Sequence, residues 1–173
     1  MRVNLAAAVL LLFSTAGQTQ TFAGTNLGNI PDGAGPGPAN YGAPRDVEFD
    51  VTGTTGTVGT VSLSFGAAHP WVGDLKVSLI APDGTNHLLF ERTGSTTSND
   101  GGSSSNLVGT NTYAFADSFS TNWWTAAGSS GLDIPSANAR TVIGGGAGVS
   151  NPPQGTSQNS LFTANHAWCG RLS

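Results

Sequence analysis

His69-Pro70-Trp71-Val72-Gly73-Asp74-Leu75-Lys76-Val77-Ser78-Leu79-Ile80-Ala81-Pro82-Asp83-Gly84-Thr85 is the stretch on which the fold turns. Leu75, Val77 and Leu79 recur at every second position, the signature of a strand with one buried face. Pro82, Asp83 and Gly84 follow: a residue of fixed φ, an acid able to bond the backbone two residues on, and a residue free to take positive φ. With His87-Leu88-Leu89-Phe90 immediately after, the stretch predicts two neighbouring antiparallel strands joined by a tight connection.

The same alternation extends outward. Val47, Phe49 and Val51, then Val61, Leu63 and Phe65, predict two more half-buried strands upstream. Gly24 to Pro44, with a turn at Ile30-Pro31-Asp32-Gly33, is an ordered lead-in, and the Ser- and Gly-rich run from Gly94 to Asn106 is a solvated loop. Thr110 to Ala127 lacks Gly and Pro, and Phe115, Phe119 and Trp123 fall four apart; a helix is open there, against the Asn, Ser and Thr content. Thr141-Val142-Ile143 is a further short strand candidate. Short strands spaced by turns imply an all-β sandwich of the jelly-roll kind.

Composition narrows the class. The 173 residues suit one domain, and with 25 glycines and only 9% charged residues a helical bundle is excluded. Six Lys and Arg against ten Asp and Glu give a net charge of -4, which supplies no basic surface for nucleic acid or anionic membranes. At the N-terminus, Arg2 precedes the uncharged apolar run Leu5 to Phe13, and Ser14-Thr15-Ala16-Gly17 follows. The run is too short to span a bilayer, and this arrangement is that of a secretory signal peptide over residues 1–17, with an N-terminal strand as the alternative. Export then makes 18–173 a secreted, extracellular single domain with no membrane attachment after cleavage near Ala16 or Gly17. Cys169 is the one cysteine, so no disulfide can form within the chain, and a thin core without one invites a metal staple.

His69 to Thr85, with Gly73-Asp74-Leu75 and Pro82-Asp83-Gly84-Thr85 at its two ends, resembles the central motif of the P domain, or P/Homo B domain, of kexin- and furin-type proprotein convertases, in its exported bacterial version. Leu88, Leu89, Arg92 and Gly94 continue the match. Ile30-Pro31-Asp32, the strand pair at 47–51 and 58–65, and Phe115-Ala116-Asp117-Ser118 resemble its flanking elements. The resemblance covers roughly residues 24 to 120. It implies an eight-stranded, galactose-binding-like jelly roll without catalytic residues, which in convertases follows and stabilises a subtilisin-like serine endopeptidase domain. The end departs from the pattern: the family closes with Gly-x-Trp-x-Leu and one more strand, whereas Trp168 here leads into Cys169-Gly170-Arg171-Leu172-Ser173, so one or two closing strands are expected to be missing.

Gly155-Thr156-Ser157 matches the nucleophile triplet of subtilisin-like proteases, but a nucleophilic serine needs a base and an orienting acid, and only His69, His87 and His166 are present. The histidine and aspartate motifs of those proteases are absent, and Ser157 reads as a turn residue, so no catalytic residue is expected in this chain. No Cys or His stands at zinc-ligand spacing near His69, which is expected to bond backbone at a strand end. Calcium takes six to eight oxygen ligands, commonly from loop carboxylates and carbonyls; Asp74 and Asp117 are the leading candidates, Asp83 and Asp100 the others. Trp71, Trp123 and Trp124 are candidate stacking surfaces for a sugar or polymer, with burial in the core as the competing reading for the Trp123-Trp124 pair. The expected partners are therefore a subtilisin-like protease domain or an extracellular polymer.

Overall fold

Val47, Phe49 and Val51 are buried while Glu48 and Asp50 face out, and the alternation makes Val47–Val51 a strand. The structure, a computed structural model, describes residues 3–14, 19–31, 41–53, 58–81, 83–97, 100–127, 131–140, 158–159 and 168–172. In chain order its strands are β1 (Val3–Ser14), β2 (Thr19–Ala23), β3 (Gly28–Ile30), β4 (Val47–Val51), β5 (Val58–Ala68), β6 (Lys76–Ile80), β7 (Asn86–Glu91), β8 (Tyr113–Ala116), β9 (Thr121–Asn122), β10 (Ala137–Arg140) and β11 (Trp168–Leu172), with one short helix, α1 (Trp123–Ala127). The chain is all-β in a sandwich-like arrangement, as the alternation predicts.

Among the described residues the strands form two sheets. One runs β2-β1-β5-β8-β10-β9, with β3 also paired to β1; the other runs β4-β11-β6-β7. Most pairings are antiparallel, while β10 lies parallel to both β8 and β9. The sheets meet through rings: Phe90 of β7 sits 5.6 Å from Phe115 of β8 and 4.8 Å from Trp123, centroid to centroid, and Phe65 of β5 stacks on Phe115 at 5.9 Å. Offset and tilted rings at these separations add attraction beyond the area they bury.

The tight connection forms as expected. Gly84 takes φ +86°, its N–H donates to the Ala81 carbonyl at 2.9 Å, and the Thr85 N–H donates to Asp83 Oδ1 at 2.8 Å. Across the hairpin, Val77 pairs with Phe90 but Ser78 pairs with Leu88, so β7 carries a bulge that turns both Leu89 and Phe90 inward.

Two regions differ from the sequence expectations, and a third, the N-terminal run, is paired. Thr110 to Ala127 is not one helix: it holds β8, β9 and the five-residue α1, because Tyr113 and Phe115 pair along β5 before the chain turns. The Gly94 to Asn106 run is no freely solvated loop, since Ser95, Ser103 and Ser105 are buried and hydrogen-bonded. The apolar run that reads as a leader is paired as β1, with Leu5, Ala8 and Leu10 buried. At the other end, β11 pairs with β4 along Trp168 to Leu172 and with β6 at Arg171 and Leu172. Thr141-Val142-Ile143, Ser157 and His166 lie outside the described residues.

Candidate functional site

Two backbone hydrogen bonds tie His69 to Leu107, at 3.0 and 2.7 Å, and fix where the chain leaves β5. The His69 ring then accepts the Trp71 N–H on Nδ1 at 3.0 Å, which places the imidazole proton on Nε2 and makes the histidine a turn-forming group. Val72–Asp74 is a single 3-10 turn, closed by the Asp74 N–H donating to the Trp71 carbonyl. The expectation for His69, a strand end with backbone bonding, matches this geometry.

Gly73 has no room for a side chain. A Cβ there would sit 2.8 Å from the Cα of Gly102, while the Val72 and Gly73 N–H groups donate to the Ser105 and Ser103 carbonyls at 2.9 and 3.0 Å. Gly102 itself has φ +69°, a conformation in which glycine pays no steric penalty. The 73–74 turn and the 100–105 segment are thereby pressed together backbone to backbone.

Arg92 closes the same assembly from the side. It is 4% exposed, has φ +49°, and donates its N–H to the Leu75 carbonyl at 3.0 Å. Its guanidinium donates to the Asp100 carbonyl and faces Asp74 Oδ1 at 3.7 Å. Asp100 in turn accepts the Gly102 N–H on Oδ1 at 2.9 Å and the Thr96 N–H on Oδ2 at 3.1 Å. Those N–H donors, Thr96 first, hold its carboxyl below the ordinary carboxylate range. Trp71 covers the outside: its Nε1 donates to the Gly101 carbonyl at 2.8 Å, and the residue remains 42% exposed.

Asp117 performs a similar office elsewhere. Its two carboxylate oxygens accept the Gln158 and Asn159 N–H groups at 2.7 and 2.9 Å. Asn159 Oδ1 accepts the Val61 N–H at 2.7 Å, and the buried Gln158 amide reaches the Val61 and Phe115 carbonyls at 3.4 Å. Two side-chain amides thus extend the ladder where β8 stops beside β5. Nothing in the sequence spacing foretells this bond between residues 41 apart.

Each of the four candidate calcium carboxylates has protein partners: Asp74 faces Arg92, Asp83 closes the hairpin, Asp100 its own loop, and Asp117 the 158–159 segment. Among the described residues no three His, Cys, Asp or Glu side chains gather as a cation site. Each of these contacts fits loop closure. Of the three candidate tryptophans only Trp71 is open to solvent. Trp123 and Trp124 are buried, with Trp123 Nε1 donating to Thr93 Oγ1 at 2.9 Å, so neither offers a face for a sugar or polymer.

His87 is buried on β7 opposite Leu79, and burial lowers its imidazole below the ordinary range, with the Asp117 charge pulling the other way. A base in that position has no solvent-facing substrate to serve.

The proprotein convertase P-domain model matches residues 58–125, so the P-domain resemblance is shown over that span, from β5 through the His69 to Gly94 constellation to Asp117 and α1. No curated protein and no solved structure matches the chain.

Proposed function

We propose that this chain is an exported, non-catalytic P-domain module that accompanies and stabilises a subtilisin-like serine endopeptidase. The observation that carries the reading is the use made of its motif: His69, Gly73, Asp74, Arg92 and Asp100 hold two loops together, and none is paired as nucleophile and base. A module of this kind works as a surface with fixed loops. Export follows from the leader-like residues 1–17 and places the protein outside the cell.

The test is a subtilisin-like catalytic domain whose own P domain has been deleted, heated with and without this chain. Slower loss of peptidase activity in its presence supports the reading, because a partner bound only by the folded state stabilises by mass action. An unchanged rate at saturating chain contradicts it.

A second reading, binding of an extracellular polymer, draws on Trp71 alone, whose half-exposed ring is held by Gly101. Retention on insoluble polysaccharide that is lost in Trp71→Ala separates it from the first.

A further inference from the structure

The two carbonyls at 100 and 101 hold two different side chains. Asp100 offers its oxygen to the Arg92 guanidinium, and Gly101 offers its own to Trp71 Nε1 at 2.8 Å. The guanidinium in turn faces Asp74 Oδ1 at 3.7 Å. Trp71 and Asp74 are therefore anchored to one short stretch of backbone, and they also open and close the same 3-10 turn, in which positions three apart share a side.

Both stay open to solvent. Trp71 is 42% exposed although its indole N–H is already satisfied, so what it has left to offer a ligand is its ring face. The Asp74 side chain is 55% exposed, and among the described residues no hydrogen bond occupies its Oδ2.

Polar groups continue from Asp74 along the start of the hairpin. Lys76 and Glu91 stand opposite one another in the β6–β7 pairing, with Lys76 Nζ 3.6 Å from Glu91 Oε1, and the Tyr41 hydroxyl donates to that same oxygen at 3.3 Å. Burial first, and then the Glu91 charge, raise the Tyr41 hydroxyl well above its ordinary range, so it stays protonated and keeps lone pairs for a further hydrogen bond.

Charge and shape decide what such a row takes. Asp74 is set against Arg92 and Glu91 against Lys76, so anions and cations cancel and the row has no net charge with which to select an ionic ligand. It has instead an aromatic face beside closely spaced acceptors and donors. That combination suits a molecule whose rings carry C–H groups on their faces and hydroxyls round their rims.

We propose that Trp71, Asp74, Lys76, Glu91 and Tyr41 form a binding site for a neutral polysaccharide, one pyranose ring lying on Trp71 and the hydroxyls of its neighbours meeting the polar row. Arg92, 4% exposed, stays beneath the sugar and keeps the Asp74 carboxylate in place. The site rests on the polymer reading of Trp71 and names the class of polymer.

The experiment is calorimetric titration of the full chain with cellohexaose, xylohexaose and mannohexaose, and separately with hexagalacturonate and hexalysine. Expected is saturable binding of a neutral hexasaccharide, one per chain, whose affinity holds when salt rises from about 0.1 to about 1 M. Trp71→Ala should weaken it about tenfold or more, Trp71→Phe less because a ring remains, and Lys76→Gln and Glu91→Gln severalfold each. Should Trp71→Ala fail to fold, Trp71→Phe decides the ring and the two Gln variants decide the row.

Neutral binding that both Gln variants leave unchanged overturns the row while the polymer reading stands. Tighter binding of hexagalacturonate or hexalysine overturns the neutral class. No binding of any of the five ligands by chain that unfolds cooperatively overturns the site and the polymer reading together. The protease reading is judged apart from all three, by heating a catalytic domain.

Discussion

Gly73 and Gly102 meet backbone to backbone, the Cα of Gly102 lying 2.8 Å from the place a Gly73 Cβ would occupy. The contact joins a short turn after β5 to a loop some thirty residues later, and Trp71, Asp74, Arg92 and Asp100 are all set by it. Gly73→Ala should force the two segments apart and lower stability by about 1–3 kcal/mol, as overpacking of a closed contact does. Urea unfolding checks this; a midpoint equal to the parent's would mean that the loops do not depend on one another.

Asp100 distinguishes loop closure from metal binding. Asp100→Asn keeps the size of the side chain but removes its charge, and it weakens the acceptors facing the Thr96 and Gly102 N–H groups. A lower melting temperature is expected, by the same amount in chelator and in millimolar calcium. A parent protein whose melting temperature itself falls in chelator would make calcium the staple instead.

Burial depresses the His87 pKa, so the folded state resists a proton that the unfolded chain accepts below about 6.5. As pH falls through that value the unfolded state binds the extra proton, and stability drops until the folded pKa is reached. His87→Gln should flatten the fall in unfolding midpoint between about pH 7 and pH 5. His69 and His166 are common to both proteins, so identical slopes would show that His87 does not contribute.

How far the sequence speaks for this fold depends on the range of each signal. Alternation at Val47 to Val51 and at Val61 to Phe65, and Pro-Asp-Gly at the hairpin, are local and came through as strands and a turn. The bulge that buries Leu89 beside Phe90 breaks the alternation and leaves no composition mark. The Gly94 to Asn106 run is polar in every residue count yet folded inward, because its serines bond one another and neighbouring carbonyls once Gly73 admits the backbone. Asp74, Asp100 and Asp117 were visible as carboxylates suited to a cation, but their donors are peptide N–H groups or a guanidinium reached only through tertiary contact. Residues 3–14 satisfy two patterns at once, since an uncharged aliphatic run serves a leader and a buried strand alike.

N-terminal sequencing of exported material separates those two uses in the cell. A mature chain starting near Gly17 or Gln18 is expected. Material that begins at Met1 would mean that β1 remains in the folded protein and that the leader reading is wrong.

The central claim is that the chain supports a protease without being one. The most direct measurement is the peptidase activity that survives heating of a subtilisin-like catalytic domain lacking its P domain, mixed with this chain, with Gly73→Ala, or with neither. The chain alone should release no peptide product, the parent chain should lengthen the half-life of the catalytic domain severalfold, and Gly73→Ala should do so less at temperatures where its loops are open. Equal half-lives in all three mixtures, or peptide cleavage by the chain alone that vanishes in Ser157→Ala, would contradict it.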